Sequence, residues 1–138
     1  LLISKQDQLS PMHTHVIKAE DIINRGGATL VIELFGSDDA GHFAEDKGGT
    51  VWCDGIRRDY APGDKLKLAP GESVTLMPGD WHAFWGEGGD VLIGEVSTVN
   101  DDETDNIFRE PIGRFATIQE DVAPTHLLVS DYRAVLGA

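Results

Sequence analysis

The sequence predicts an all-β sandwich or barrel. Short runs rich in β-branched and aromatic residues recur between turn signals. The 16 glycines and 6 prolines are spread along the chain rather than gathered in a linker. Helical periodicity is weak throughout.

The chain opens with Leu1-Leu2-Ile3-Ser4, which reads as a strand, and without Met it is expected to follow an upstream segment. His13-Thr14-His15 has the alternation of a strand. Lys18–Asn24 is one of two candidates for a short helix. Thr29–Leu34 (TLVIEL) is dense in β-branched residues and reads as a strand. Thr50–Cys53 and Ile56–Arg58 flank Asp54-Gly55, a two-residue hairpin signal because both turn positions need φ > 0. Lys65–Leu68 and Ser73–Leu76 alternate polar and apolar, with turns at Pro70-Gly71 and Pro78-Gly79. His82–Trp85 and Val91–Ser97 flank Gly86-Glu87-Gly88-Gly89, which reads as a longer hairpin loop. Asp101–Phe108 is the second short-helix candidate, and its acidic run Asp101–Asp105 reads as a solvated loop or helix N-terminus. Gly113–Ile118 and His126–Val129 are the last candidate strands.

The chain has 138 residues, the size of one domain with a single core. It is 41% hydrophobic and 25% charged, ordinary for a globular protein and unlike a disordered one. Lys+Arg number 11 against 24 Asp+Glu, a formal charge of −13. Such a surface repels phosphate backbones and anionic lipid, so neither nucleic acid nor membrane is expected as a partner. A neutral small molecule or a cation remains open as ligand. No apolar run reaches the roughly 18 residues of a membrane helix, and no secretory signal is visible. The single cysteine, Cys53, has no internal partner, which points to a reducing, cytoplasmic compartment.

Chemistry is concentrated at His13-x-His15. Residues i and i+2 of a strand share a face, so two imidazoles can share one metal ion. Glu20 lies five residues on, the wrong parity for a straight strand, and needs a bend or bulge to reach the same point. Downstream, Pro78-Gly79-Asp80-Trp81-His82 is a tight turn launching a strand whose second residue is histidine. In a barrel His82 can face the first pair across the interior. Three histidines and a glutamate leave coordination positions open, the mark of a catalytic rather than a closed structural site. His42 lies in a polar, Gly-containing stretch and reads as solvated, and His126 as structural.

His13-x-His15-x4-Glu20-x6-Gly27 and Gly71-x6-Pro78-Gly79-x2-His82 resemble the two metal-binding motifs of the cupin superfamily, the second with one extra residue before the proline. Longer runs resemble the D-lyxose isomerase family of metal-dependent sugar isomerases. They include Pro11–His15, Lys18–Gly27, Pro70–Leu76, His82–Trp85, Gly94–Asp102, Thr104–Asn106, Gly113–Phe115 and His126–Tyr132. The likeness covers nearly the whole chain, with Ser10 where many members carry cysteine and without the N-terminal extension of other members. It implies a single cupin β-barrel (a double-stranded β-helix, or jelly roll) over residues 1–138, with short peripheral helices. It also implies a homodimer holding Mn²⁺ or a similar ion (Zn²⁺, Co²⁺ or Fe²⁺) on His13, His15, Glu20 and His82. The implied reaction interconverts D-lyxose and D-xylulose, and often D-mannose and D-fructose.

Aldose–ketose isomerisation carries a proton between C2 and C1 through an enediol. It needs a Lewis acid, a proton-shuttling base and a group that stabilises charge on the oxygens. Lys18 lies between two expected ligands and matches the family, which suits the third role. For the base, Glu110 in the stretch before Arg114 is the first candidate, with Glu95 as rival because Val91, Ile93 and Glu95 share a face. Arg114 is a candidate for binding sugar hydroxyls. Phe84 is the better placed aromatic for the cavity wall, since it has the parity of His82 while Trp81 and Trp85 have the opposite one. Competing readings are a sugar-binding or sensory cupin without turnover, which needs neither Lys18 nor a base, and a cupin dioxygenase, which predicts Fe²⁺ and an apolar pocket.

Overall fold

A computed structural model describes residues 1–98, 101, 104–112, 121–123, 125–127 and 132–133. Among these described residues there are ten strands: β1 (Leu2–Ser4), β2 (Ser10–Thr14), β3 (Glu20–Ser37), β4 (Phe43–Ala44), β5 (Gly49–Cys53), β6 (Ile56–Tyr60), β7 (Asp64–Leu68), β8 (Ser73–Leu76), β9 (Trp81–Ser97) and β10 (Ile107–Phe108). They form one sheet in the order β10-β2-β9-β3-β8-β5-β6, with β1 added to β9 and β4 and β7 to β3. Every strand pairing is antiparallel. The architecture is the all-β, cupin-type barrel that the sequence predicts. Among the described residues no helix is long and apolar enough to cross a membrane.

The spine is the ribbon of β3 and β9, paired from Glu20↔Ser97 to Phe35↔Trp81. Period-2 alternation decides which side chains enter the core. Leu30, Ile32 and Leu34 of β3 point inward and meet Val74 and Leu76 of β8, Leu68 of β7 and Val91 and Ile93 of β9. Burying each such side chain stabilises the fold by about 1.5–3 kcal/mol.

The ribbon also closes on itself. His82 pairs with Leu34, fourteen residues along β3 from Glu20, a straight-strand distance of roughly 46 Å. Yet Glu20 Oε1 lies 3.1 Å from His82 Nε2. The bend responsible coincides with register shifts at Asn24/Gly26 and Gly27/Thr29. There Gly88, Gly89 and Asp90 of β9 oppose the single residue Ala28. Gly27 has φ +99°, and a Cβ on it would stand 2.2 Å from the Asp90 carbonyl oxygen. The buried Asn24 holds the bend, donating from Nδ2 to the carbonyls of Ala28 and Leu68 (both 2.9 Å) and accepting the Gly26 N–H (3.0 Å).

Gly86–Gly89 is therefore not a hairpin loop. Both flanking runs pair with the same strand and run in the same direction, so the glycines form a bulge that bends one continuous strand. Lys18–Asn24 is not helical either. From Glu20 onward it is strand, with Glu20, Ile22 and Asn24 buried and Asp21 and Ile23 half-buried, a period of two rather than 3.6. At Asp101–Phe108 one turn is closed by the Asp105 N–H on the Asp101 carbonyl (3.0 Å), and the chain then enters β10. The Asp54-Gly55 hairpin forms as expected, with φ of 49° and 79°. Gly113–Ile118 and the end of His126–Val129 lie outside the described residues.

Candidate metal centre

Strand pairing sets the first two imidazoles opposite each other, because His13 of β2 is the register partner of His82 of β9. Their ring centroids are 4.1 Å apart. His15 follows the last residue of β2 on the same side as His13, with ring centroids 5.2 Å apart. Residues 15–19 turn the corner into β3, and that corner removes the parity problem of Glu20, the first residue of β3. One donor atom from each of His13, His15, Glu20 and His82 lies within 4.8 Å of the others, and all four residues are buried.

The hydrogen bonds fix which ring atoms face inward. Each Nδ1 meets a backbone carbonyl: His13 that of Pro11 (2.7 Å), His82 that of Asp80 (3.0 Å) and His15 that of Asp105. A carbonyl only accepts, so each Nδ1 carries the proton and each neutral ring keeps its lone pair on Nε2. Glu20 Oε1 stands 3.3 Å from His15 Nε2 and 3.1 Å from His82 Nε2. These three atoms are buried without a hydrogen-bond partner, a costly arrangement unless something electropositive sits among them. Two ligand atoms about 2.1 Å from one ion and at right angles to each other lie about 3 Å apart, which matches these contacts. Imidazole nitrogen with carboxylate oxygen suits a borderline divalent ion, so the residues present fit such a metal.

At His13 electrostatics agrees with the neutral ring. Burial, together with neighbouring His82 and His15, holds the His13 pKa down to about 3, so the ring is neutral at physiological pH. Burial pushes the Glu20 carboxyl up, and the Lys18 ammonium, with His15 and His82 wherever their Nε2 carries a proton, holds it well below the usual range. Lys18 is itself buried, its ammonium 2.7 Å from Glu20 Oε2 and 2.9 Å from Glu95 Oε1. Burial favours its neutral amine, and the two carboxylates outweigh burial and raise its pKa. Glu95, with a side chain 31% exposed, is where this chain of charges reaches solvent.

Two aspartates escaped the sequence reading. The acidic run Asp101–Asp105 is not simply solvated: Asp105 is buried, and its carboxylate accepts the N–H groups of Val16 (2.7 Å), Ile17 (3.0 Å) and Lys18 (2.8 Å). Burial raises its pKa, and the three donors bring it below the ordinary value. Asp80 braces His82: its carbonyl takes His82 Nδ1 and the Thr14 hydroxyl (3.1 Å). Its carboxylate takes the Tyr60 hydroxyl (3.1 Å) and the Met77 N–H (2.8 Å). Asp80 carried a faint signal in the Pro78-Gly79 turn. Asp105 carried only its place in the family-like Thr104–Asn106 run, and nothing local gave its role, since its partners are almost ninety residues away.

Phe84 is buried beside the cluster, its ring stacked at 6.4 Å on His82. Glu110 is not brought to the cluster. Its side chain is 78% exposed and lies 3.8 Å from the Arg109 guanidinium. Arg114 lies outside the described residues. His42 and His126 are exposed, as is expected of a solvated His42. Trp81 is a packing residue, donating from Nε1 to Ser37 Oγ (3.1 Å) and set edge-on to Phe43.

A family profile described as D-lyxose isomerase matches residues 1–132. The D-lyxose/D-mannose isomerase of Serratia proteamaculans is 52% identical over 130 residues, covering 93% of this chain and 57% of that protein. The protein of the same name from Escherichia coli O157:H7 is 48% identical over 128 residues, covering 91% and 56%. The chain thus spans little more than half the length of these curated relatives. Among solved structures, the L-ribose isomerase of Cellulomonas parahominis superposes with a TM-score of 0.54 at 18% identity, over 78% of this chain and 56% of that one. The Acinetobacter sp. DL28 L-ribose isomerase bound to L-ribose superposes with a TM-score of 0.52 at 16% identity, over 78% and 57%. These structural likenesses are likenesses of fold.

Proposed function

The chain belongs to the D-lyxose isomerase family, and from that premise we propose that it is a metal-dependent aldose–ketose isomerase. The substrates are D-lyxose and D-xylulose, with D-mannose and D-fructose as a second pair. The observation that carries the reading is the set of three buried, unpartnered atoms, His15 Nε2, His82 Nε2 and Glu20 Oε1, gathered beside His13. His13, His15, Glu20 and His82 hold the ion, Mn²⁺ by preference, with Zn²⁺, Co²⁺ and Fe²⁺ accepted by the same donors. When bound, it supplies Lewis acidity toward the sugar carbonyl and the adjacent hydroxyl.

The chain's own residues do the rest. Lys18, fixed between Glu20 and Glu95, sets a positive charge where negative charge grows on a sugar oxygen. A carboxylate takes the proton from C2 while O1 gains one to give the enediol, and the same carboxylate returns its proton to C1 as O2 gives up its own, so that one proton passes from C2 to C1 and one from O2 to O1. Glu95 is favoured for this role because the Lys18 ammonium links it directly to Glu20, whereas Glu110 faces solvent beside Arg109. Glu110 remains the alternative base. Phe84 walls the cavity with an apolar ring, Arg114 binds sugar hydroxyls, and the enzyme works as a homodimer in the cytoplasm.

Purified protein loaded with Mn²⁺ and given D-lyxose is expected to form D-xylulose, and chelation of the ion is expected to stop it. Stoichiometric Mn²⁺ uptake with no ketose from D-lyxose or D-mannose would instead make the chain a sugar-binding cupin without turnover.

A further inference from the structure

We propose that Asp105 is the positioning residue of this centre, the group that holds the His15 ring in its metal-binding orientation from the far end of the chain. The inference rests on the reading of the four clustered side chains as a metal site.

The three histidines are not held in the same way. His13 and His82 each direct Nδ1 to the carbonyl two residues earlier, that of Pro11 in β2 and that of Asp80 in the turn before β9. Both carbonyls are local in sequence, so each of these rings is tied to its own stretch of backbone. His15 stands just past the end of β2, and its Nδ1 is held by the carbonyl of Asp105 instead. The pairing of β10 with β2 brings this segment alongside β2 as far as Ile107↔Thr14, and the Asp105 carboxylate fixes the carbonyl that lies just beyond that pairing.

Its Oδ1 accepts the N–H groups of Val16 and Ile17, and its Oδ2 accepts that of Lys18. These are successive donors of a corner that curls round an anion, and bonds to an ionised acceptor are about twice as strong as neutral ones. Carboxylate and carbonyl belong to one residue, so pinning the first fixes the second. The His15 ring, the Lys18 backbone and the turn before β10 are thereby locked together. Outer partners that orient a metal-binding imidazole typically change metal affinity 10–100-fold when removed.

The isosteric Asp105→Asn variant tests this. Its amide keeps the shape, but its NH₂ must oppose at least one of the three N–H donors. In the metal-free protein, the ¹⁵N shifts of the three imidazoles report their tautomers, and Mn²⁺ affinity is read by chelator competition. The expected result is loss of the fixed Nδ1–H state at His15 alone, unchanged His13 and His82, and a Kd for Mn²⁺ raised 10–100-fold. Three unchanged rings with a Kd within twofold would overturn the proposal. So would equal changes at all three, which is what general loosening gives. If D105N does not fold, Asp105→Glu, which keeps the charge but displaces the carboxylate from its carbonyl, is read by the same criteria. If the unsubstituted protein takes up no Mn²⁺, the metal reading fails, and the His15 shifts of variant and parent still decide the role of Asp105.

Discussion

Lys18 is the residue on which charge, position and chemistry meet. Its ammonium bridges a carboxylate of the cluster and one at the solvent edge. Replacing it by Met keeps most of its bulk and removes the charge. The expected outcome is full Mn²⁺ stoichiometry by elemental analysis with kcat on D-lyxose lowered about 10²–10³-fold. Loss of the metal would make Lys18 a structural residue instead. Glu20→Gln leaves one oxygen acceptor and an NH₂ facing two Nε2 lone pairs. Its Mn²⁺ affinity is expected to fall further than the 10–100-fold typical of an outer partner, read in the same chelator competition. The two buried charges also shape stability against pH. The Asp105 pKa is lowered on folding, so its stabilisation is complete above the unfolded value of 3.8 and is lost as pH falls through the folded one. The Lys18 pKa is raised, so its stabilisation is complete below 10.5 and is lost as pH rises through the folded value. In urea unfolding of the metal-free protein at a series of pH values, D105N should flatten the acid limb and leave the alkaline one.

Among the elements, the β3–β9 ribbon depends on backbone freedom at its bend. Gly27→Ala combines a positive φ with a Cβ 2.2 Å from a carbonyl oxygen. Gly55→Ala in the β5–β6 turn also has positive φ, but its Cβ meets nothing within 4 Å. Denaturant unfolding should show a loss of about 1 kcal/mol for Gly55→Ala and about 3 kcal/mol or more for Gly27→Ala. The hairpin was legible in the sequence because Asp54-Gly55 is a local signal. The bulge was not, because a run of glycines between apolar segments looks the same whether the chain reverses or merely bends. Only the pairing partner separates the two cases, and β3 lies more than fifty residues upstream. The histidines were legible for the opposite reason. His13 and His15 share a face by strand period, and a tight turn announces His82. Glu20 needed the corner at residues 15–19, and that corner is held by Asp105, which no neighbouring residue betrays.

For the molecule as a whole, metal and fold are linked. An ion that binds only the folded state adds about 2.7 kcal/mol at a free concentration 100 times its Kd. Mn²⁺ should therefore raise Tm in proportion to the logarithm of its concentration, and the rise should vanish in Glu20→Gln; a Tm indifferent to Mn²⁺ would separate the cluster from the stability of the barrel. The location of the donors says where that added stability acts. His82 is the second residue of β9 and Glu20 the first of β3, at opposite ends of the paired ribbon. Their meeting works like the buckle of a belt: a fastener that adds nothing along the strap but decides whether the loop stays shut. Stripping the ion should thus quicken amide hydrogen exchange at the two strand beginnings, around residues 20–22 and 81–83, while the middle of the ribbon exchanges as slowly as before.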